Sequence, residues 1–216
     1  MYAQAKVSSA YGKYSKVPNM SRITGAEAAQ KLLLANGLGS VRVEISRGLL
    51  SDHYDPGKKV LRLSPQVYHG ASVAAVGIVA HEVGHALQDA TGYAMMKFRT
   101  ALVPAATLGS QLGYAAVIFG ALLAWMGSSF GITVIWTGVF LFSLVVLFSL
   151  VTLPVEYNAS YRAREMLQGI GLVSRDEYYG ASAVLSAAAL TYVAAPLQVV
   201  AQLFYFIMIA LGGRRQ

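Results

Sequence analysis

Cysteine is absent from the chain. That excludes a disulfide framework and any thiolate metal site, so a bound metal would depend on imidazole and carboxylate groups. Both are scarce, with 4 His and 10 Asp plus Glu in 216 residues. Charged residues make up only 12% of the chain against 56% hydrophobic, which is too little polar surface for a soluble protein of this size. No basic motif interleaved with aromatics is present either. The basic residues behind the net charge of +7 are scattered along the chain, most of them between 6 and 100 and the last at the C-terminus. That distribution fits cytoplasmic membrane flanks rather than a nucleic-acid surface. No signal-peptide pattern, internal repeat or low-complexity tract is found.

What is present is organised in two characters. Residues 1–20 are polar and read as a juxtamembrane or linker segment. Residues 24–36 read as a helix, with Thr24 and Glu27 forming a capping box and Gly37 closing it. The alternating stretch 41–46 and the stretch Lys59–Leu63 read as strands, separated by a turn at Asp55, Pro56 and Gly57. Residues 72–90 carry small and apolar residues at helical spacing. Charge then vanishes over 101–126, 132–155 and 187–213, each long enough to cross a hydrocarbon core of roughly 30 Å. The segment GSSFG, 127–131, makes the first two runs a hairpin. The expected fold is an α+β unit, pairing the helix over 72–90 with a small sheet, combined with a bundle of about three transmembrane helices. The expected divisions are 1–100, 101–155, 156–186 and 187–216.

Two of the four histidines fall in His81-Glu82-Val83-Gly84-His85, an HExxH sequence. Residues four apart share one face of a helix, so both imidazoles can reach one ion. Glu82 beside them can take a proton from a metal-activated water. Zn2+, one per chain, is the expected cofactor, and zinc-dependent peptide hydrolysis the expected reaction. The bland alternative is a pair of satisfied core histidines, but burying Glu82 among small apolar residues without a role would be costly.

A catalytic zinc needs a third protein ligand and an open position. Asp89, Glu156, Glu165, Asp176, Glu177, His53 and His69 are the candidates. Asp89 lies two i+4 steps from His81, about 12 Å along the axis, too far for one ion. His53 and His69 are expected on loops. Glu156 is preferred on topology: a membrane hairpin between His85 and Glu156 returns the chain to the side it left.

The segments SDHYDP (51–56), GASVAAVGIVAHEVGHALQDATGY (70–93) and LPVEYNASYRAREML (153–167) resemble the YugP-like family of bacterial membrane zinc metallopeptidases. The resemblance covers nearly the whole chain. More distantly, the layout is similar to the M48 group of gluzincins: HExxH, a membrane hairpin, then a Glu ligand on a following helix. The resemblance implies His81 and His85 as metal ligands, Glu82 as base and Glu156 as third ligand. Where M48 members usually carry Asp as partner to a zinc-bound His, this chain has Ser160. YugP-like proteins usually begin with a membrane helix, and this sequence resembles the segment that follows one.

Stabilisation of a developing oxyanion is expected from among His53, Tyr54, Tyr157 and Arg162, although turn chemistry also accounts for the 52–55 cluster. Val60, Leu61 and Arg62 are the candidate sheet edge to receive an extended substrate, while the strand signals alone fit an inner strand about as well. The implied partners are a polypeptide substrate, membrane proteins included, and the lipid bilayer, but no nucleic acid. The expected location is a bacterial plasma membrane, multi-pass, with the catalytic side cytoplasmic, because Lys97, Arg99, Arg162, Arg164 and Arg175 flank the spans. Three rivals remain. A non-catalytic zinc scaffold would need a closed four-ligand site. A transporter would need ionisable groups within the spans, which hold none. A hydrolase of non-peptide bonds shares the motif.

Overall fold

The computed structural model describes residues 2–48 and 51–212. The far end of the third uncharged run, with Arg214 and Arg215, lies outside the described residues. The chain divides into two units: Met1–Tyr93 with Val155–Thr191, and Ala94–Pro154 with Tyr192–Gln216.

In the first unit, helix α1 spans Tyr2–Tyr14, where the sequence suggested only a polar linker. Helix α2, Gly25–Ala35, begins at Thr24 with the expected capping box: the Thr24 side chain accepts from Glu27 N, and Glu27 reaches back to Thr24 N at 2.7 Å. Such a cap contributes about 1 kcal/mol. Gly37 follows with φ +72, a conformation that glycine adopts without strain.

Strands β1 (Arg42–Ile45), β2 (His53–Asp55) and β3 (Val60–Leu63) form one sheet in the order β1-β3-β2. β1 runs parallel to β3, and β2 antiparallel to it. Two expectations are corrected here. Val60, Leu61 and Arg62 do not form an edge: Leu61 faces Val43 on one side and Tyr54 on the other, and Val60, Leu61 and Leu63 are fully buried. The local pattern of β3 fits either place, and only the pairing on both sides decides it. His53 is not on a loop but opens β2, and His69 closes the short helix α3, Pro65–His69.

Helix α4, Val73–Ala90, carries the HExxH sequence and starts at an N-cap, Ser72, whose hydroxyl accepts from Ala75 N. It is buried on nearly every side, packing on α1, α2, α3, β2 and β3. Its small residues permit this. A Cβ at Gly84 would meet Ala159 O at 2.6 Å, and one at Gly77 would meet Ala181 Cβ at 3.2 Å. Ala159 belongs to helix α6 (Phe130–Gly169) and Ala181 to helix α7 (Arg175–Gly212).

The second unit holds helix α5 (Ala94–Trp125), the first part of α6 and the last part of α7. All three helices are long and apolar enough to cross a membrane. Val117, Ile135, Val139, Phe142, Phe206 and Ala210 form its core. α5 and α6 approach backbone to backbone, since a Cβ at Gly120 would lie 2.7 Å from Gly131 O. Close approach through small residues is how helices associate in lipid, where burial of apolar surface adds no drive.

Candidate metal centre

Helical spacing puts His81 and His85 one turn apart on α4, with ring centroids 4.8 Å apart. The intimate contact at Gly84 brings the α6 backbone beside them. Glu156, on the turn of α6 before Ala159, thereby reaches both rings: its Oε2 lies 3.1 Å from His81 Nε2 and 3.4 Å from His85 Nε2. His81, Glu82, His85 and Glu156 are each only 6–8% exposed.

This donor set fits a zinc ion. Four tetrahedral ligands at bonds of about 2.1 Å stand about 3.4 Å from one another. Of the two separations to Glu156, 3.4 Å meets that value and 3.1 Å falls a little short of it, and all three ligand atoms lie within 4.8 Å of one another. The group is the one set of three or more His, Cys, Asp or Glu side chains so placed among the described residues. His53, His69, Asp89, Glu165, Asp176 and Glu177 are not part of it. The local electrostatics favour positive charge. Burial alone would push the His85 imidazole down, but hydrogen bonding to Glu156, the charge of Glu82 and the contact with Gln88 outweigh it and raise its pKa.

Each imidazole is also held from behind. Ser160 Oγ lies 3.1 Å from His81 Nδ1, and Gln88 Oε1 lies 3.0 Å from His85 Nδ1. Ser160 and Gln88 are themselves buried, the latter completely. Gln88 escaped the sequence reading. The available signal was its position: three residues after His85, on the same helical face, and polar within an apolar helix.

Glu82 points elsewhere from its neighbours. Its Oε2 accepts a 3.1 Å hydrogen bond from the backbone N–H of Tyr54, on edge strand β2. The Tyr54 phenol instead donates to Asp89 Oδ2 at 2.7 Å. Burial, then this bond, raises its pKa. Lys59 pairs with the same carboxylate. So Asp89 fastens the sheet to the last turn of α4. His53 is exposed, with Nδ1 against Ser51 O at 2.8 Å. Arg62, with Glu44 and Asp55, forms an ion-pair cluster on the sheet. Tyr157 is exposed on α6, and Arg162 Nε donates to Asn158 Oδ1 at 2.8 Å.

Comparison with known proteins agrees with this geometry. Residues 1–211 match the family described as "Putative neutral zinc metallopeptidase". The chain is 47% identical over 214 residues to the "Putative membrane protease YugP" of Bacillus subtilis (strain 168), covering 99% of this chain and 92% of that protein. No solved structure gives a significant match. The chain belongs to this zinc metallopeptidase family.

Proposed function

We propose that this member of the zinc metallopeptidase family is a membrane-embedded endopeptidase, using His81, His85 and Glu156 to hold one zinc and Glu82 as general base. The observation that carries the reading is the convergence of three buried donors from α4 and α6 at zinc-like separations, beside a fourth buried group, Glu82, that is free of that set. Three protein ligands leave a fourth position open, as catalysis requires. A structural scaffold site would be closed by a fourth side chain, and none joins the group among the described residues.

Zinc held there supplies a Lewis acid for the scissile carbonyl and draws the pKa of a water towards 7. The protein's own part is orientation and proton handling. The Tyr54 N–H fixes one carboxylate oxygen of Glu82 and leaves the other to take the proton of the attacking water, then pass it to the leaving amine. An extended peptide would lie along β2, the edge strand whose backbone already touches Glu82. His53, Tyr54, Tyr157 and Arg162 remain the candidates for oxyanion stabilisation, with His53 on that same strand.

The three apolar helices would place the enzyme in a plasma membrane as a multi-pass protein. Lys97, Arg99, Arg162, Arg164 and Arg175, beside the apolar runs, support a cytoplasmic catalytic side. Its substrates would be polypeptides, membrane proteins among them. The test is a pair of variants. Glu82→Gln should keep about one zinc per chain and lose hydrolysis by orders of magnitude. Glu156→Ala should lose zinc as well. Full turnover by Glu82→Gln, or a wild-type protein without zinc after gentle purification, would sink the reading.

A further inference from the structure

Gln88 sits completely buried at the centre of a polar chain that leads from His85 to the protein surface. Arg162 Nε donates to Asn158 Oδ1 at 2.8 Å, Gln88 Nε2 lies 3.0 Å from that same oxygen, and Gln88 Oε1 lies 3.0 Å from His85 Nδ1. A second anchor is the backbone carbonyl of Val155, which accepts from Gln88 Nε2 at 2.7 Å.

The direction of every bond in this chain follows from one end of it. A guanidinium only donates, so the Asn158 atom facing Arg162 must be the carbonyl oxygen. That oxygen can only accept, so the Gln88 atom facing it must be the amide nitrogen. The carbonyl of Val155 makes the same demand independently. Turned round, Gln88 would set its oxygen 2.7 Å from the Val155 oxygen, leaving two buried acceptors in contact. With its nitrogen thus committed, Gln88 can offer His85 only an acceptor. In the neutral form of the imidazole that metal binding requires, the proton is therefore on Nδ1 and the lone pair is on Nε2, the atom that donates to Glu156 when the ring is protonated.

From this geometry we infer that Gln88 is a positioning residue, which fixes the tautomer and ring orientation of His85 for metal binding, and that Asn158 and Arg162 carry the constraint to the surface. This rests on the proposed metal centre. It extends that centre by a neutral amide doing for His85 what a carboxylate often does for a zinc-bound imidazole. Val155 and Glu156 are consecutive on α6, so the same amide also ties the backbone before one ligand to the side chain of another. Gln88 thus sets the α4 ligand and the α6 ligand in register.

The test is zinc affinity of the full-length protein in detergent, measured by competition with a chromophoric chelator, beside the thermal transition of the metal-free protein. Gln88→Met keeps the shape and removes the acceptor. Gln88→Glu keeps an acceptor for His85 but sets a carboxyl group against two carbonyl oxygens. The expected result is that Gln88→Met binds zinc about 10- to 100-fold more weakly than wild type. Gln88→Glu should bind more tightly than Gln88→Met while melting at a lower temperature without metal. A merely structural role would order the two variants alike in both measurements, and that outcome overturns the inference. Asn158→Ala, at a half-buried position that tolerates truncation, should lose a smaller share of affinity, and unchanged affinity there would remove the outer part of the chain. Wild-type protein without zinc affinity would remove the metal centre and this role together. Wild-type binding that Gln88→Met matches within about threefold would remove the positioning role alone.

Discussion

Gly84→Ala should damage the metal centre without touching a ligand. The added methyl would lie 2.6 Å from Ala159 O and 3.2 Å from Ala159 C and Cα. A comfortable carbon-to-oxygen contact begins at about 3.3 Å, so α4 and α6 must part by about 0.7 Å at this point. Zinc sites tolerate departures of about 0.2 Å in bond length. Glu156 rides on α6 one turn from Ala159, so the separation moves it relative to His81 and His85 by several times that tolerance. In the metal-free protein the effects partly cancel. Overpacking costs about 1–3 kcal/mol, while replacing a helical glycine by alanine returns about 1 kcal/mol. The larger loss should therefore appear in zinc affinity, by about 10- to 100-fold, where each factor of ten is about 1.4 kcal/mol. Gly77→Ala is the internal control: its methyl meets Ala181 Cβ at 3.2 Å, on α7, which carries no ligand. Chelator competition on both variants, with melting curves taken with and without zinc, reads the two effects separately. Gly84→Ala binding zinc within threefold of wild type, or Gly77→Ala losing as much, would refute the reasoning.

Leu61→Pro should abolish the cooperative unfolding transition and zinc binding together, because Leu61 is buried in the central strand with partners on both sides; a folded, zinc-loaded variant would contradict the strand order. Burial and the Asp89 hydrogen bond raise the Tyr54 phenol pKa, so the folded state prefers it neutral. Its stabilisation is complete below the ordinary tyrosine value of about 10 and declines as pH rises above it. Tyr54→Phe should lose about 1 kcal/mol at neutral pH and show a flatter dependence of melting temperature on alkaline pH; equal slopes would place the alkaline loss elsewhere. Lys58 is exposed, and a cysteine introduced there would be the chain's only thiol. It should escape an impermeant maleimide on intact cells and react after lysis, whereas labelling of intact cells would overturn the proposed orientation.

The parts of the site legible in sequence are those set by local chemistry. The HExxH face follows from helical periodicity, and the start of α2 from Thr24 and Glu27. Glu156 could be favoured from the arrangement of apolar runs before any contact was known. Long-range pairing was not legible. β2 is three residues long, and Asp52, Asp55 and Pro56 give it the signature of a turn. Only its ladder to β3 makes it a strand. That same ladder supplies the Tyr54 N–H to Glu82, a backbone contact that no side-chain pattern announces. β3 took an edge reading because alternation says nothing about how many neighbours a strand has. Gln88 carries no charge and belongs to no motif, so its burial and its three partners are visible only in three dimensions.

The first unit is interrupted in sequence: everything from Ala94 to Pro154 belongs to the other unit. This fixes the order of events during synthesis. A chain that has emerged only as far as His85 presents two donors, one short of what a catalytic zinc requires. The third is translated only after two long apolar segments. In the proposed enzyme, hydrolytic competence would therefore be deferred until the hairpin has been made. A truncated or stalled product ending before Glu156 would lack the third ligand of the proposed centre.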